Sequence, residues 1–273
     1  MEFFLLANHA LFGTKHLILI AISCLLCVGI FFLLKKKSFT FVCKTMFFVG
    51  LVSETIKIFY YTIANEETMG GILPRSDLPF HLCSIQILFF VFLCFGKSEK
   101  IKRYLLAFMR PSCLFGGIAA ILIATTSSRN GGWILTAQYF GYHVMLVVFA
   151  LYLYCSNEIK FDIRDYFNCL KFLVVLMFFS FYINSILYDG VSNINFMYVA
   201  GPPQEGLPFL NEESGWLVYI LRYALLVVVC VSLSYIAPII TAVKGYFKKQ
   251  QTTTETEQSE ETAEEIALTQ DKE

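Results

Sequence analysis

Residues 17–37 read LILIAISCLLCVGIFFLLKKK. From Leu17 to Leu34 there is no Asp, Glu, Lys, Arg or His, and then Lys35, Lys36 and Lys37 end the run. At about 1.5 Å per residue a helix over this stretch is ~27 Å long, close to the ~30 Å hydrocarbon core of a bilayer. A run that is apolar on every face cannot be one side of a surface helix. It reads as a membrane span stopped by charges at the headgroups.

Six further stretches of this kind follow, at about 41–63, 79–96, 104–126, 135–155, 166–188 and 215–241. The pattern predicts an all-α fold, a polytopic integral membrane helix bundle of seven transmembrane helices within residues 1–249. The first twelve residues carry no basic segment and no A-x-A site follows the first apolar run, so that run is expected to stay as a span. Composition agrees. Of 273 residues, 57% are hydrophobic and 15% charged, against about 25% charged in ordinary soluble domains. Twenty-eight Phe and fifteen Tyr would leave a water-soluble body with too much apolar surface. These values argue against a soluble enzyme, a disordered chain and a nucleic-acid binder.

The formal net charge of zero conceals two unlike parts. Residues 250–273, QQTTTETEQSEETAEEIALTQDKE, hold eight acidic residues and one Lys, a net charge of −7, which leaves +7 on the body. Such a tail cannot repay its ordering entropy, so it is expected to be disordered, with a cytoplasmic partner as its candidate task. The loops alternate in charge. Lys35–Lys37, Lys97, Lys100, Lys102, Arg103, Lys160, Arg164, Lys244, Lys248 and Lys249 put twelve basic residues on one side, and Lys15, Arg75 and Arg129 put three on the other. The positive-inside rule then places the N-terminus outside, the C-terminus in the cytoplasm and the protein in the cell membrane. None of the nine Cys falls in an expected outside loop, so no extracellular disulfide framework is implied. Cys24 and Cys27 form a C-x-x-C inside an apolar span and read as packing.

Ionisable and amide side chains within spans are costly and mark candidate sites. Counting about 1.5 Å per residue from the outer ends, Lys57, Glu54, Gln86, His143, Asn184 and Arg222 all fall in the outer half of the bilayer, with His81 and Cys83 at its lip. They come from five spans and predict one polar cavity; the bland alternative is interhelical glue. Glu54 and Lys57 are i, i+3 and can pair, with Tyr61 continuing their face. Arg110-Pro111, in the inner part of the fourth span, reads as a snorkelling charge or a kink. Gly116-Gly117 reads as close packing or a kink, and Gly131-Gly132-Trp133 as an interfacial loop.

Ser76-Asp77-Leu78-Pro79-Phe80-His81-Leu82-Cys83 reads as a helix start, with Ser76 or Asp77 as cap and Pro79 in the first turn. A Cys there favours thiolate. On a regular helix His81 and Cys83 point about 200° apart, so His143 is the freer candidate base. Gln86, at i+3 from Cys83, is a candidate oxyanion donor, as is Asn184. The alternative is that Cys83 packs and His81 is an interfacial hydrogen-bonding group. No ligand spacing for a metal is present, no cofactor motif such as a Walker A occurs, and membrane lipids are the expected partners.

LPFHLCS at 78–84, YFGYH at 139–143, NFMYVAGPP at 195–203 and GWLVYILRY at 215–223 occur in this order. Together they resemble the YwaF-type bacterial integral membrane family, whose animal relatives are the transmembrane-protein-164 group, over roughly residues 10–240. The resemblance implies acyl transfer onto phospholipids through the Cys of the H-L-C motif. Carried over, that residue is Cys83 with His81 as companion, and Asn195 opens the N-x-x-Y segment. Three functions stay open. A thiol acyltransferase would use Cys83, a His81 or His143 base, and Glu54, Lys57 and Arg222 to shape the cavity. A lipid or small-molecule carrier would use the same cavity without the thiol. A scaffold would depend on the acidic tail.

Overall fold

The computed structural model describes residues 10–64, 71–125, 132–156, 158–190, 194–203, 207, 209–211, 213 and 215–246. The acidic tail, Arg129, Gly131, Lys248 and Lys249 lie outside the described residues. Those residues form helices and turns, with no strand among them. Helix α1 covers Thr14–Leu34, and α2 covers Phe39–Phe59 and runs into a π turn, Tyr60–Ala64. A 3-10 turn, Arg75–Asp77, precedes α3, Ile85–Phe95. Helix α4, Glu99–Pro111, passes through a π turn, Ser112–Gly116, into α5, Gly117–Leu122. Helix α6 is Gly132–Cys155 and α7 is Ile163–Leu187; a second 3-10 turn, Phe196–Tyr198, leads to α8, Trp216–Ser234, and then α9, Ile236–Tyr246.

Six of these helices are long and apolar enough to cross a membrane: α1, α2 with its π turn, α4 joined to α5, α6, α7 and α8. Helix α6 is the centre of the bundle. Val144, Leu146, Val148, Phe149, Ala150 and Tyr152 are buried on it, and α1, α2 and α5 pack around it. At Gly117 a Cβ would meet Val147 Cγ2 at 2.7 Å and the His143 carbonyl at 3.1 Å, so the Gly pair serves close packing and the π turn together. The outer helices turn large apolar side chains outward, among them Leu25, Phe32 and Leu33 on α1 and Val175, Phe178 and Tyr182 on α7. Apolar surface on this scale is matched by lipid tails and not by water.

The expected third span departs most from the sequence reading. A regular helix does not begin at Pro79; residues 78–84 are turns and α3 starts at Ile85, with 11 residues and a length of about 16 Å. The reason is local. Pro79 holds Leu78 extended, at φ −59° and ψ 151°, as the residue before a proline tends to be. The carbonyls of Ser76 and Asp77 are then taken by His81 at 3.2 Å and Lys57 at 2.7 Å.

Prolines also explain the other departures. Pro111 has no N–H for the Ala107 carbonyl, the chain widens into the π turn, and the Tyr235 hydroxyl donates to Ala107 O at 2.8 Å. Pro238 likewise leaves Ser234 O without a helical donor, and the expected single helix over 215–241 breaks at Tyr235. The fourth span begins earlier than expected, at Glu99, because Ser98 caps it by accepting from Ile101 N–H at 3.4 Å. Asp162 and Asp165 form a capping box that starts α7.

The connections sort to two ends. Tyr152 donates to Lys37 O at 3.0 Å and Phe39 N–H donates to Glu158 at 3.1 Å, which brings the α1–α2 and α6–α7 connections together. Arg75 pairs with Asp189 at 3.1 Å, which brings the α2–α3 and α7–α8 connections together at the other end.

Candidate functional site

A cavity of about 530 Å³ opens among α2, the turn before α3, α5, α6, the 195–203 segment and α8. Its lip carries the expected pair: Lys57 Nζ lies 2.9 Å from Glu54 Oε2 and also donates to Asp77 O. Lys57 keeps only 9% of its surface, so it is a braced cation and not a free one. Tyr61 continues this face, with its hydroxyl near the Asp77 carboxyl. Burial raises the Asp77 carboxyl above the usual carboxylate range; Lys57 and the Tyr61 hydroxyl oppose the shift and Glu54 adds to it.

His81, Cys83 and His143 also line the cavity. The turn before α3 is what lets His81 and Cys83 line one space, because the 200° separation of a regular helix does not apply to it. His81 Nε2 lies 3.2 Å from Ser76 O, and His143 Nδ1 lies 2.7 Å from Tyr139 O. A carbonyl only accepts, so each ring carries its proton on that nitrogen when neutral. His81 Nδ1 and His143 Nε2 are then lone-pair nitrogens, and neither makes a hydrogen bond with a described residue. Cys83 is anchored through its backbone, whose carbonyl accepts from Tyr142 Oη at 2.9 Å. No ion pair or cation–π contact among the described residues involves Cys83, and it does not lie at the start of a regular helix, since α3 begins at Ile85.

The wall opposite is the Asn195–Val199 turn. Met197 and Tyr198 both have φ of 55°, a left-handed backbone that side chains other than Gly adopt only when held. The holding groups are identifiable. Phe196 N–H donates to Asn184 Oδ1 at 2.8 Å, and Phe196 O accepts from Ser180 Oγ at 2.6 Å and Asn184 Nδ2 at 3.3 Å. Tyr198 O accepts from the Tyr219 hydroxyl and Val199 O from Trp216 Nε1 at 3.0 Å. Asn195 closes the turn on itself, accepting from Ala200 N–H at 3.0 Å and donating to Gly201 O at 2.9 Å. The turn presses Phe196 and Tyr198 on the His81 ring, with centroids 4.9 and 5.6 Å away.

Three sequence candidates do other work. Gln86 is fully buried and donates to Ser112 Oγ at 2.9 Å, which braces the π turn. Asn184 is spent on Phe196, and Arg222 donates to Asn211 at 3.2 Å; none of the three lines the cavity. Conversely, Tyr139, Tyr142, Tyr198 and Tyr223 line it and were not singled out. All four lie in the YFGYH, NFMY and GWLVYILRY stretches, which was the available signal. The hydroxyls of Tyr198 and Tyr223 make no hydrogen bond among the described residues. All nine Cys are free thiols, and no cluster of three His, Cys, Asp or Glu fit for a metal occurs among the described residues.

Residues 11–235 match the family model described as the TMEM164 family. No curated protein and no solved structure is detectably similar to the chain.

Proposed function

The chain belongs to the TMEM164 family of membrane proteins, and from that premise we propose that its cavity is a cysteine-dependent acyl-transfer site for membrane lipids. The observation that carries the reading is the shared cavity of Cys83 with two imidazoles, each oriented by a backbone carbonyl and each with its second nitrogen unprotonated. His143 Nε2 takes the Cys83 proton as the sulfur attacks the ester carbonyl of a phospholipid. The acyl C–O bond breaks, the imidazolium returns the proton to the departing lysolipid oxygen, and the acyl chain stays as a thioester. An acceptor lipid hydroxyl then attacks the thioester and gives its proton to the imidazole. The C–S bond breaks and the sulfur takes the proton back. Tyr198 and Tyr223 are the hydroxyls available to the developing oxyanion, the part first assigned to Gln86 and Asn184. The Glu54–Lys57–Asp77 cluster frames the cavity for a polar headgroup.

The reading includes a topology. The short α3 with its leading turn forms the third crossing, so seven crossings put the cavity in the outer half of the cell membrane, the N-terminus outside and the acidic tail in the cytoplasm. Lipid profiling tests the activity. Cys83→Ala is expected to abolish the acyl-chain remodelling that the parent supports in cells lacking the protein. An unchanged profile in Cys83→Ala overturns it, and solute uptake into vesicles that survives Cys83→Ala but not Glu54→Gln favours a carrier.

A further inference from the structure

Arg110 lies in the other half of the bundle from the cavity, and acyl transfer does not use it. Its guanidinium is packed among three aromatic rings, with Nε fully buried. The side chain keeps 9% of its exposure, and its Cζ lies 4.2 Å from the Tyr154 ring centre, 4.7 Å from Phe161 and 5.0 Å from Tyr235. These rings come from the end of α6, the α6–α7 connection and the α8–α9 break. The prolines build the cage. The Tyr235 hydroxyl is spent on the carbonyl that Pro111 frees, and the Tyr154 hydroxyl on Ser234, where Pro238 breaks α8. Neither phenol accepts from Arg110.

The charge is left without a counterion. Arg110 Nε is buried with no partner, and no ion pair or hydrogen bond joins this guanidinium to any described residue. Asp165, the acid of this region, gives Oδ1 to Arg103 Nε at 2.7 Å and Oδ2 to the Arg103 Nη2 and Asp162 N–H groups. Arg103 lies 5.2 Å from the same Phe161 ring, so two cations share one ring while only Arg103 has the carboxylate. Desolvated cation–π contacts offset part of the cost of burial, but rings offer no oxygen to the N–H donors. A buried unpaired charge is far costlier than a paired one. The planar N–H fork matches two oxygens of a tetrahedral oxyanion.

We propose that Arg110, held in the cage of Tyr154, Phe161 and Tyr235, is the anchor of an oxyanion-binding site that takes a phosphate group, from either a membrane lipid headgroup or free phosphate. The site shares the end of the bundle where Lys37 and Glu158 meet the α6 terminus, within reach of headgroups on that side.

The full chain, purified and stripped of lipid in a neutral detergent, is titrated with inorganic phosphate against chloride at equal ionic strength, and separately with phosphatidylglycerol against a neutral diacylglycerol. Thermal midpoint and native mass spectrometry read the binding. Saturable stabilisation by phosphate assigns a soluble ligand; stabilisation and a retained adduct with phosphatidylglycerol alone assign a lipid. Arg110→Gln is expected to weaken the response by about ten- to hundredfold in apparent Kd, the loss of a charge-assisted pair. Arg110→Lys, which keeps the charge without the fork, falls between and serves if the Gln variant does not fold. No saturable response to either probe in the parent, or an equal response in both variants, overturns the proposal.

Discussion

His143 is fixed by its own helix, since its Nδ1 is committed to Tyr139 O one turn back. That single bond decides which nitrogen is available as a base, and it makes the ring replaceable only by a group that is also an acceptor at the Nε2 position. His143→Gln keeps an amide donor for Tyr139 O but has no basic nitrogen. It is expected to fold, to bind lipid, and to lose acyl transfer by about 10²–10⁴-fold, the usual worth of a positioned base; single-turnover acylation of Cys83 checks it. Loss of that size in His81→Gln with His143→Gln unaffected would reverse the roles of the two rings. At this scale much was legible in the chain: His81, Cys83 and His143 were selected as polar groups out of place in lipid. The facing of His81 and Cys83 was not, because it depends on Pro79 and the carbonyls of Ser76 and Asp77 turning the backbone away from a helix.

The Asn195–Val199 turn shows how an element can carry strain for a site. Two left-handed residues in succession persist because α7 and α8 side chains take the backbone groups of Phe196, Tyr198 and Val199. Asn184 alone makes two of those bonds. Asn184→Ala is expected to lower stability by about 1–3 kcal/mol, since it leaves a buried N–H unpaired, and to expose the segment to limited proteolysis. An unchanged thermal midpoint and cleavage pattern would show that the turn holds itself. The sequence offers Asn184 as a cavity residue and, beside Gln86, a candidate oxyanion donor; its polarity is visible, but its partner lies in a loop whose path no periodicity reports. The helices with even apolar character, such as α1, were read almost to the residue, and those interrupted by Pro111 and Pro238 were not, since a proline's effect depends on which side chain replaces its missing bond.

For the molecule as a whole, the apolar outer faces of α1 and α7 and the burial of α6 require a bilayer around the bundle. Six helices are long enough to span, and the seventh crossing through α3 is part of the proposed topology, argued from the sidedness of Lys and Arg. Reporters fused to each end distinguish the counts: seven crossings place the N-terminal tag outside and the C-terminal tag in the cytoplasm, and tags on the same side would contradict them. The alternation of charge was legible throughout, whereas the shortness of α3 was hidden inside an apolar run that looks continuous. The convergence of four separated motifs on one cavity became visible only in the fold. Acyl transfer through Cys83 requires that its sulfur carry an acyl group during turnover. Intact-mass analysis of the full chain incubated with a phospholipid of defined acyl chains measures it directly. The expected result is a mass increase equal to one acyl chain, released by neutral hydroxylamine, mapped to Cys83 and absent in Cys83→Ala. No adduct, or one that persists in Cys83→Ala, would contradict it.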